Sequence, residues 1–386
     1  MKILKAYKFR LKTNSETEPI LWRIAGHCRH VWNYFWAMNQ GRLEQKYRIL
    51  DYYEMDHWSK WLKASDEYGF LKEVPAQVLQ QKLKDLDRAY RDGFDRSQKN
   101  KRMPTPRRRF VHSSFRFPSP SQIKLEPRRI FLPKLGWLSF FQSEKVEGSL
   151  RNATVSYRGG YWWISLQVEE EAKPLAKAPE VPVGIDLGIV QFVTCVSELG
   201  EKAYAPRGAY RQHEAKLALA QGKLKHKRKF SQNWKTQQRR IQKIHRKVVN
   251  ARNDFLHRIS TEICKNHAKI FLEDLKVANM SRSAQGTVEA PGKQVRQKSG
   301  LNKSILDQGW REFRRQLEYK SAWRQGKVIA LAPHYSSQTC SKCGYQDAQN
   351  RLSQAQFQCQ SCGLAINADS NAARNLLAAG LRRVGL

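Results

Sequence analysis

Four cysteines near the carboxyl end of the chain have the spacing of a metal site. Cys340 and Cys343 form one C-x-x-C pair, and fifteen residues later Cys359 and Cys362 form a second. Two thiolates at this spacing can reach the same tetrahedral ion, and the glycine after each pair allows a tight turn. The spacing predicts one structural Zn²⁺ in a zinc ribbon, with a closed shell that leaves no position for catalysis. A redox pair is the alternative, but two pairs at this separation favour zinc.

Three acidic residues occupy positions from which carboxylates could bind hard cations. Asp186 lies inside the apolar run VGIDLGIVQF, Glu273 ends the apolar segment IFLE, and Asp369 precedes an alanine-rich helical segment. Each has an ordinary alternative: a strand-end turn, a solvated strand end and a helix N-cap, respectively. If the three converged, they would repel one another until two Mg²⁺ (or Mn²⁺) ions about 3.5–4 Å apart neutralised them. The acids therefore predict a catalytic site of two divalent ions for phosphodiester hydrolysis.

The charge balance points to a polyanionic partner. Lys and Arg total 70 against 34 Asp and Glu, which gives a net charge of +36. Nucleic acid is the first candidate and a membrane surface the second, but no apolar run approaches the ~18 residues of a membrane span. The start of the sequence also lacks a signal-peptide pattern, so we expect a soluble, cytoplasmic protein. The remaining cysteines, Cys28, Cys195 and Cys264, are expected to be free and buried.

Basic residues are concentrated in two windows without acids. No Asp or Glu lies between Glu214 and Asp254, nor within residues 96–125. A charged helix face is ordinarily only solvated, but such faces usually mix both signs. We therefore predict contact with nucleic acid by the basic residues Arg107, Arg108, Arg109, Lys225, Lys227, Arg228, Lys229, Arg239, Arg240 and Arg246.

Patterns of hydrophobicity indicate the elements that must position these residues. An alternating opening strand, helical stripes, and a hairpin turning at Gly159–Gly160 predict a small β-barrel with an inserted helical unit. A linker then leads to the α+β domain that contains the acids, within which a polar segment without periodicity predicts a mobile loop. The predicted divisions are the barrel over 1–18 and 99–172, the helical unit over 19–98, the linker over 173–182, the acid-bearing domain over 183–335 and 367–386, the mobile loop over 281–300 and the ribbon over 336–366.

Taken together, GIDLG, FLEDL, the four-cysteine ribbon and NADSNAARNLL resemble, in this order, the TnpB family. These are RNA-guided DNA nucleases encoded by insertion sequences and related to type V CRISPR effectors. The resemblance covers nearly the whole chain and implies a wedge-like barrel with a helical recognition unit, followed by a RuvC-like domain of the ribonuclease H fold. It implies that Asp186, Glu273 and Asp369 are the catalytic acids. Many relatives carry His-Asp-Arg-Asp at the third motif, so Asp369 is matched by its distance to Asn371 and Arg374.

The resemblance also implies partners and a reaction. The family binds a noncoding guide RNA, recognises a short transposon-adjacent motif in duplex DNA, opens an R-loop and cuts both strands with one active site. We expect a monomer with its RNA. Tyr52, Tyr53, Gln77 and Gln80 are the candidates for reading the adjacent motif, with a role in the helical core as the alternative.

The sequence leaves three alternative functions. A nuclease-inactive relative would use its guide RNA only to occupy DNA as a regulator, although all three acids are intact. Single-strand transposases of such elements use a paired-His motif with a Tyr nucleophile, and the sequence has no His-x-His pair. A sugar-kinase-like ATPase shares the DLG motif but would explain neither the charge nor the ribbon.

Overall fold

The computed structural model describes residues 2–98, 101–108, 113–171, 175–287, 289–332 and 336–385. Contacts divide the chain into two compact units, Met1–Ala172 and Lys173–Leu386. The candidate Arg109 lies outside the described residues. In the described ranges no helix is both long enough and apolar enough to cross a membrane.

The first unit consists of one antiparallel sheet and three α-helices. Its seven strands run in the order β2-β6-β7-β1-β5-β4-β3, so the first strand lies in the middle of the sheet. The helices follow that strand in the chain, as the helical stripes predicted. The elements are β1 (Lys2–Leu11), α1 (Thr17–Glu44), α2 (Tyr52–Ala64), α3 (Ala76–Phe94), β2 (Ser113–Phe117), β3 (Lys124–Glu126), β4 (Arg129–Leu132), β5 (Gly136–Phe141), β6 (Ser149–Arg158) and β7 (Tyr161–Glu171).

The predicted hairpin is present at β6 and β7. Gly159 and Gly160 have φ angles of 59° and 82°, the left-handed conformation that a two-residue hairpin turn requires at both positions. Beyond the turn, alternate residues of β7 are buried while their neighbours are half exposed. The buried face of β7 and the apolar stripes of α1 and α3 enclose a single core.

The second unit has a five-stranded mixed sheet with helices on both faces. The strand order is β10-β9-β8-β11-β12. Strands β8, β11 and β12 are parallel to one another, whereas β9 pairs antiparallel with both of its neighbours, β8 and β10. The strands are β8 (Pro182–Asp186), β9 (Val193–Ser197), β10 (Gly200–Tyr204), β11 (Lys269–Glu273), β12 (Lys327–Leu331) and the separate pair β13 (Gln356–Gln358) and β14 (Ala365–Asn367). The helices are α4 (Glu214–Lys225), α5 (Gln232–Asn266), α6 (Val277–Met280), α7 (Val295–Gln308), α8 (Trp310–Trp323) and α9 (Ala368–Val384).

Side-chain alternation divides the core of this unit between the two faces of the sheet. Ile270 and Leu272 of β11 pack with α5 and α8, whereas Phe271 between them packs with α9. Two glycines allow α9 to approach closely: a Cβ on Gly184 would lie 2.1 Å from the Ala373 carbonyl oxygen, and one on Gly380 would meet the Phe271 ring. Substituting either glycine would therefore force the helix off the sheet.

The loop predicted over residues 281–300 is shorter than expected. Helix α7 begins at Val295, so the last six residues of the predicted loop are helical. The prediction was wrong there because Ile305, a buried apolar residue of this helix, lies after the polar segment that was predicted to be a loop. Residues 281–287 and 289–294 contain no helix and one isolated bridge, between Gly286 and Pro291.

Candidate metal centres

The four cysteines of the predicted ribbon converge. Their sulfur atoms all lie within 4.8 Å of one another, with 3.6 Å between Cys340 and Cys362 and 3.5 Å between Cys343 and Cys359. A tetrahedral zinc site with Zn–S bonds of about 2.3 Å has sulfur–sulfur edges of about 3.8 Å. The cluster therefore fits one tetrahedral ion.

Both C-x-x-C turns have the same geometry. The amide of Gly344 donates to the Cys340 carbonyl at 3.0 Å, and that of Gly363 donates to the Cys359 carbonyl at 3.1 Å. Both glycines are left-handed, with φ angles of 77° and 70°. Buried Asn350 joins the turns, because its side chain donates to the Tyr345 carbonyl and accepts from the Gln360 amide. The repeated turn holds all four thiols in place by backbone hydrogen bonds.

The mixed sheet brings two of the predicted acids side by side. Strands β8 and β11 are parallel, and Ile185 is paired with Leu272, so Asp186 and Glu273 follow at the same edge. Because Phe271 faces α9, the alternation of β11 also turns Glu273 toward that helix. The parallel strands thus deliver both carboxylates to one crevice at their carboxyl ends.

The third acid reaches the same crevice from the first turn of α9. Asn367, rather than Asp369, is the N-cap: its side chain accepts from the amides of Asp369 and Ser370 at 2.8 and 3.3 Å. The ordinary cap interpretation of Asp369 is therefore wrong, and its carboxylate is not used in capping. All three acids line one cavity of about 310 Å³.

The acids perturb one another as expected for converging carboxylates. Burial, followed by the charges of Glu273 and Asp369, raises the pKa of Asp186 to about 8. Burial also raises the pKa values of Glu273 and Asp369. Without a cation, burial and mutual repulsion therefore oppose full ionisation of the three acids.

The three carboxylates do not form one tight cluster. Among the described residues, only the four cysteines bring three or more donor atoms within 4.8 Å of one another. A site of two ions does not need such a cluster, because ions about 3.5–4 Å apart allow the outer carboxylates to bind different ions. The donor set of three hard oxygen ligands fits Mg²⁺ or Mn²⁺ and not a soft ion.

Arg351, which the sequence analysis missed, faces the acids from the ribbon. It lines the cavity and its charge opposes the rise in pKa of Asp186, Glu273 and Asp369. Its guanidinium also donates to the carbonyls of Ser353 and Gln354. A signal was available, because Arg351 is the single Lys or Arg in the segment between the two C-x-x-C pairs.

A hydrogen-bonded clamp on α9 supports Glu273. The Ser336 hydroxyl donates to Glu273 Oε1 at 2.7 Å, and Asn375 donates to the carbonyls of Ser336 and Thr339 at 2.8 and 2.7 Å. One turn earlier, buried Asn371 donates to the same Thr339 carbonyl at 2.8 Å. The helix that carries Asp369 thus also fixes the segment that orients Glu273.

Removing the Ser336 hydroxyl should weaken the binding of divalent ions. A carboxylate ligand that loses its orienting hydrogen bond typically loses about 10–100-fold in metal affinity. We expect Ser336→Ala to weaken Mn²⁺ binding by this amount, measured by electron paramagnetic resonance, while zinc content stays constant. Ser337→Ala, the adjacent serine of the same cavity wall, is the control; an affinity loss shared by both variants would contradict the role of Ser336.

Stability without divalent ions should depend on pH through Asp186. The folded-state pKa of about 8 lies above the ordinary 3.8. The folded state therefore binds the proton more tightly, and this group's stabilisation is lost as the pH rises from about 4 to about 8. In Mg²⁺-free buffer, Asp186→Asn should raise Tm by a margin that grows between pH 5 and pH 8, by at least about 2–4 °C, the shift per kcal/mol for a unit of this size. A margin that does not change with pH would contradict burial of Asp186 in a shared carboxylate site.

The predicted basic residues of the second unit lie on a helical hairpin. Helices α4 and α5 pack through a small core of Leu217, Ala220 and Ile241. The candidates at the helix ends and in the connection are mostly exposed, and Arg239 and Arg240 are exposed on α5. Their placement agrees with a solvent-facing cationic surface, but contact with nucleic acid stays a prediction. The candidates on this hairpin are Lys225, Lys227, Arg228, Lys229, Arg239, Arg240 and Arg246.

The candidates of the first unit fall into two groups. Arg107 packs against Trp32 and Asn33 instead of extending into solvent. Its guanidinium stacks 3.8 Å from the centre of the Trp32 ring, and the Asn33 side chain hydrogen-bonds its backbone. Arg108 is exposed. Contact with nucleic acid stays a prediction for both.

The four candidates for reading the adjacent motif lie on α2 and α3. Tyr53 is 78 % exposed. Tyr52 is half-buried beneath the ammonium group of Lys84, and Gln80 donates to Asp56 at 3.3 Å. Gln77 is half-buried near the start of α3. Motif reading stays a prediction for all four.

The second unit thus has an α+β fold, and its carboxylate-lined crevice lies next to a cluster of four thiols. Family models match the chain over residues 165–284 (OrfB_IS605, "Probable transposase"), 310–376 ("Cas12f1-like, TNB domain") and 1–48 ("Helix-turn-helix domain"). In the structure the last of these matches covers β1 and the single long helix α1.

Two relatives cover almost the whole chain. It is 44 % identical over 380 residues to "Putative RNA-guided DNA endonuclease InsQ" of Escherichia coli (strain K12), spanning 98 % of this chain and 93 % of that protein. It is 30 % identical over 387 residues to "Putative RNA-guided DNA endonuclease" of Streptomyces pristinaespiralis, spanning 98 % and 90 %. Among solved structures, CasPhi-2 (Cas12j) bound to crRNA and phosphorothioate DNA gives a TM-score of 0.44 at 12 % identity, over 98 % of this chain and 91 % of that one. The chain belongs to the TnpB family, which confirms the prediction from its motifs.

Proposed function

We propose that the protein is an RNA-guided DNA endonuclease that binds a transposon-derived noncoding RNA, recognises a short adjacent motif and cleaves target DNA. The observation that carries this proposal is the convergence of Asp186, Glu273 and Asp369 on one cavity. Two relatives that match nearly the full length are named for the same activity. The net charge of +36 supports a nucleic-acid partner.

Each residue of the crevice has a distinct role in the proposed hydrolysis. Asp186, Glu273 and Asp369 would together hold the divalent ions, since all three line the cavity. Bound Mg²⁺ or Mn²⁺ would supply an activated water and neutralise charge on the leaving oxygen. Ser336 keeps Glu273 oriented, and Arg351 places a positive charge beside the cleaved phosphate. The cysteine cluster would hold one structural Zn²⁺ and thereby fix Arg351 at the rim of the cavity.

Sequence choice would come from base pairing and not from side chains. A guide RNA paired to one DNA strand forms an A-form duplex that a protein grips through its phosphates. Arg239, Arg240 and Arg246 of α5 and Arg108 are suited to that role, and the exposed ring of Tyr53 to contact with the adjacent motif.

The domain layout is part of the proposal. Residues 1–18 and 99–172 would form the wedge-like barrel around a helical recognition unit over 19–98. Residues 183–335 and 367–386 would form the RuvC-like nuclease domain. The mixed sheet with α5 and α8 on one face and α9 on the other supports this assignment, as does the position of the cysteine cluster within 336–366.

The decisive experiment starts from RNA that copurifies with the full chain. That RNA is sequenced, its guide segment is reprogrammed, and the complex is incubated with matched or mismatched plasmid DNA in Mg²⁺ or in Ca²⁺. We expect cutting of the matched plasmid in Mg²⁺ only. Occupancy of matched DNA without cutting in Mg²⁺ would refute the nuclease and favour the alternative, a nuclease-inactive RNA-guided regulator.

A further inference from the structure

The α4–α5 hairpin ends in a segment that combines positive charge with an exposed aromatic ring. We define the hairpin tip as residues 223–234. Five of the seven residues from 223 to 229 are Lys or Arg, and no acid lies between Glu214 and Asp254. Directly after this run, Phe230 is 67 % exposed, and its ring centre lies 5.4 Å from that of Trp234.

The local backbone holds Phe230 out of the hairpin core. Phe230 has a φ angle of 67°, a conformation that bulky side chains rarely adopt. The next residue, Ser231, caps α5 by accepting from the Trp234 amide at 3.2 Å, and its own amide donates to the Arg228 carbonyl. The ring contacts Trp234 but is not part of the hairpin core, so packing against that core does not explain its position. Strain at an exposed aromatic residue points to a partner that uses it.

We propose that the hairpin tip binds an unpaired stretch of the guide RNA. Phe230 stacks on a base, and the surrounding Lys and Arg side chains contact the neighbouring phosphates. This inference rests on the proposed function and adds to it a binding mode and a residue outside the predicted set. Every base has a π face, so stacking tolerates any sequence.

RNA fits the tip better than duplex DNA or an acidic peptide. Proteins recognise RNA mainly through loops and ends whose bases are unstacked and available to aromatic side chains. Duplex DNA keeps its bases inside the helix, and an acidic peptide offers charge without planar rings. The tip therefore matches a partner that carries phosphates and open bases together.

The test compares how tightly the wild-type protein and its tip variants bind three labelled probes. These are an RNA hairpin with an unpaired loop, a fully paired RNA duplex and a DNA single strand with the loop sequence. Affinities are measured by fluorescence anisotropy across a KCl series with the full chain, after bound RNA has been removed. We expect Phe230→Ala to weaken binding of the looped RNA by about 5–100-fold without changing the salt slope, and Phe230→Trp to restore it.

Two further variants separate stacking from charge and from general loss of apolar surface. Lys227→Gln combined with Lys229→Gln should reduce the salt slope by about 1.4, because two single-strand phosphate contacts are lost. Leu219→Ala removes an equally exposed apolar side chain from α4 and should leave all affinities unchanged.

Three results would overturn the inference. These are a Phe230→Ala affinity within twofold of wild type on the looped RNA, an equal loss on paired and looped RNA, and a loss confined to the DNA strand. Wild-type chain that binds none of the RNA probes would refute the proposed function together with this inference. Normal RNA binding that is insensitive to Phe230 would refute the inference alone.

Discussion

Asp186→Ala should abolish DNA cleavage while leaving target binding nearly intact. The side chain lies at the end of β8 beside Glu273, and both other acids act on its charge. Asp186 is a proposed metal ligand, and losing such a ligand removes several kcal/mol of stabilisation from the transition state, so we expect cleavage to fall by about 10³-fold or more. Binding depends on phosphate contacts elsewhere, and removing a buried negative charge does not weaken them. Cleavage of labelled plasmid and gel-shift affinity with the same guide complex measure the two effects separately.

The matched control is Asp274→Ala. Asp274 is the next residue after Glu273, but it is exposed and forms an ion pair with Arg314 on α8. Cleavage should remain within a few-fold of wild type. If Asp186→Ala lost binding and cleavage to the same degree, Asp186 would be a folding residue and the active-site assignment would fail.

Cys343→Ser should release the zinc and destabilise the ribbon. A serine oxygen is a harder and weaker zinc ligand than a thiolate, and structural zinc sites of four cysteines depend on all of them. Metal content measured by mass spectrometry should fall from about one zinc per chain to near zero, with a lower Tm. Ser336, which orients Glu273, lies in the segment that leads directly into the cluster, so cleavage should decline as well.

Lys342→Ala is the control within the same turn. Lys342 is exposed and contributes only its backbone amide, which donates to the Cys340 sulfur at 3.4 Å. Zinc content and Tm should therefore match those of the wild type. Full zinc occupancy in Cys343→Ser would show that the cluster is not a four-thiolate site.

Local patterns in the sequence predicted most of the elements. Gly159–Gly160 marked a hairpin turn, and the helical stripes marked the helices that follow the opening strand, because both signals depend on residues close in the chain. The start of α7 was missed because polar residues with no buried partner lead into it. Such patterns could not show whether the seven-stranded sheet closes into a barrel, because closure depends on pairs of strands that are distant in the chain. The observed pairs form one curled sheet with β2 at one edge and β3 at the other.

The site was predictable only where a residue was unusual for its position. An Asp in a buried strand and four spaced cysteines stand out from their surroundings. Ser336 and Asn375 do not, because each is an ordinary residue for a polar segment or a helix. Their contacts join distant segments: Ser336 lies 63 residues after Glu273, and Asn375 lies 39 residues after Ser336, so the contacts appear only when the chain is folded.

Asp186, Glu273 and Asp369 are proposed to hold a pair of divalent ions. Crystals of the guide complex with target DNA, grown in Mn²⁺ and measured at the manganese edge, test this directly. We expect two anomalous peaks about 3.5–4 Å apart among these three carboxylates, in addition to the zinc peak at the cysteines. A crevice that closes on the DNA without any manganese peak between the acids would contradict the proposed metal site.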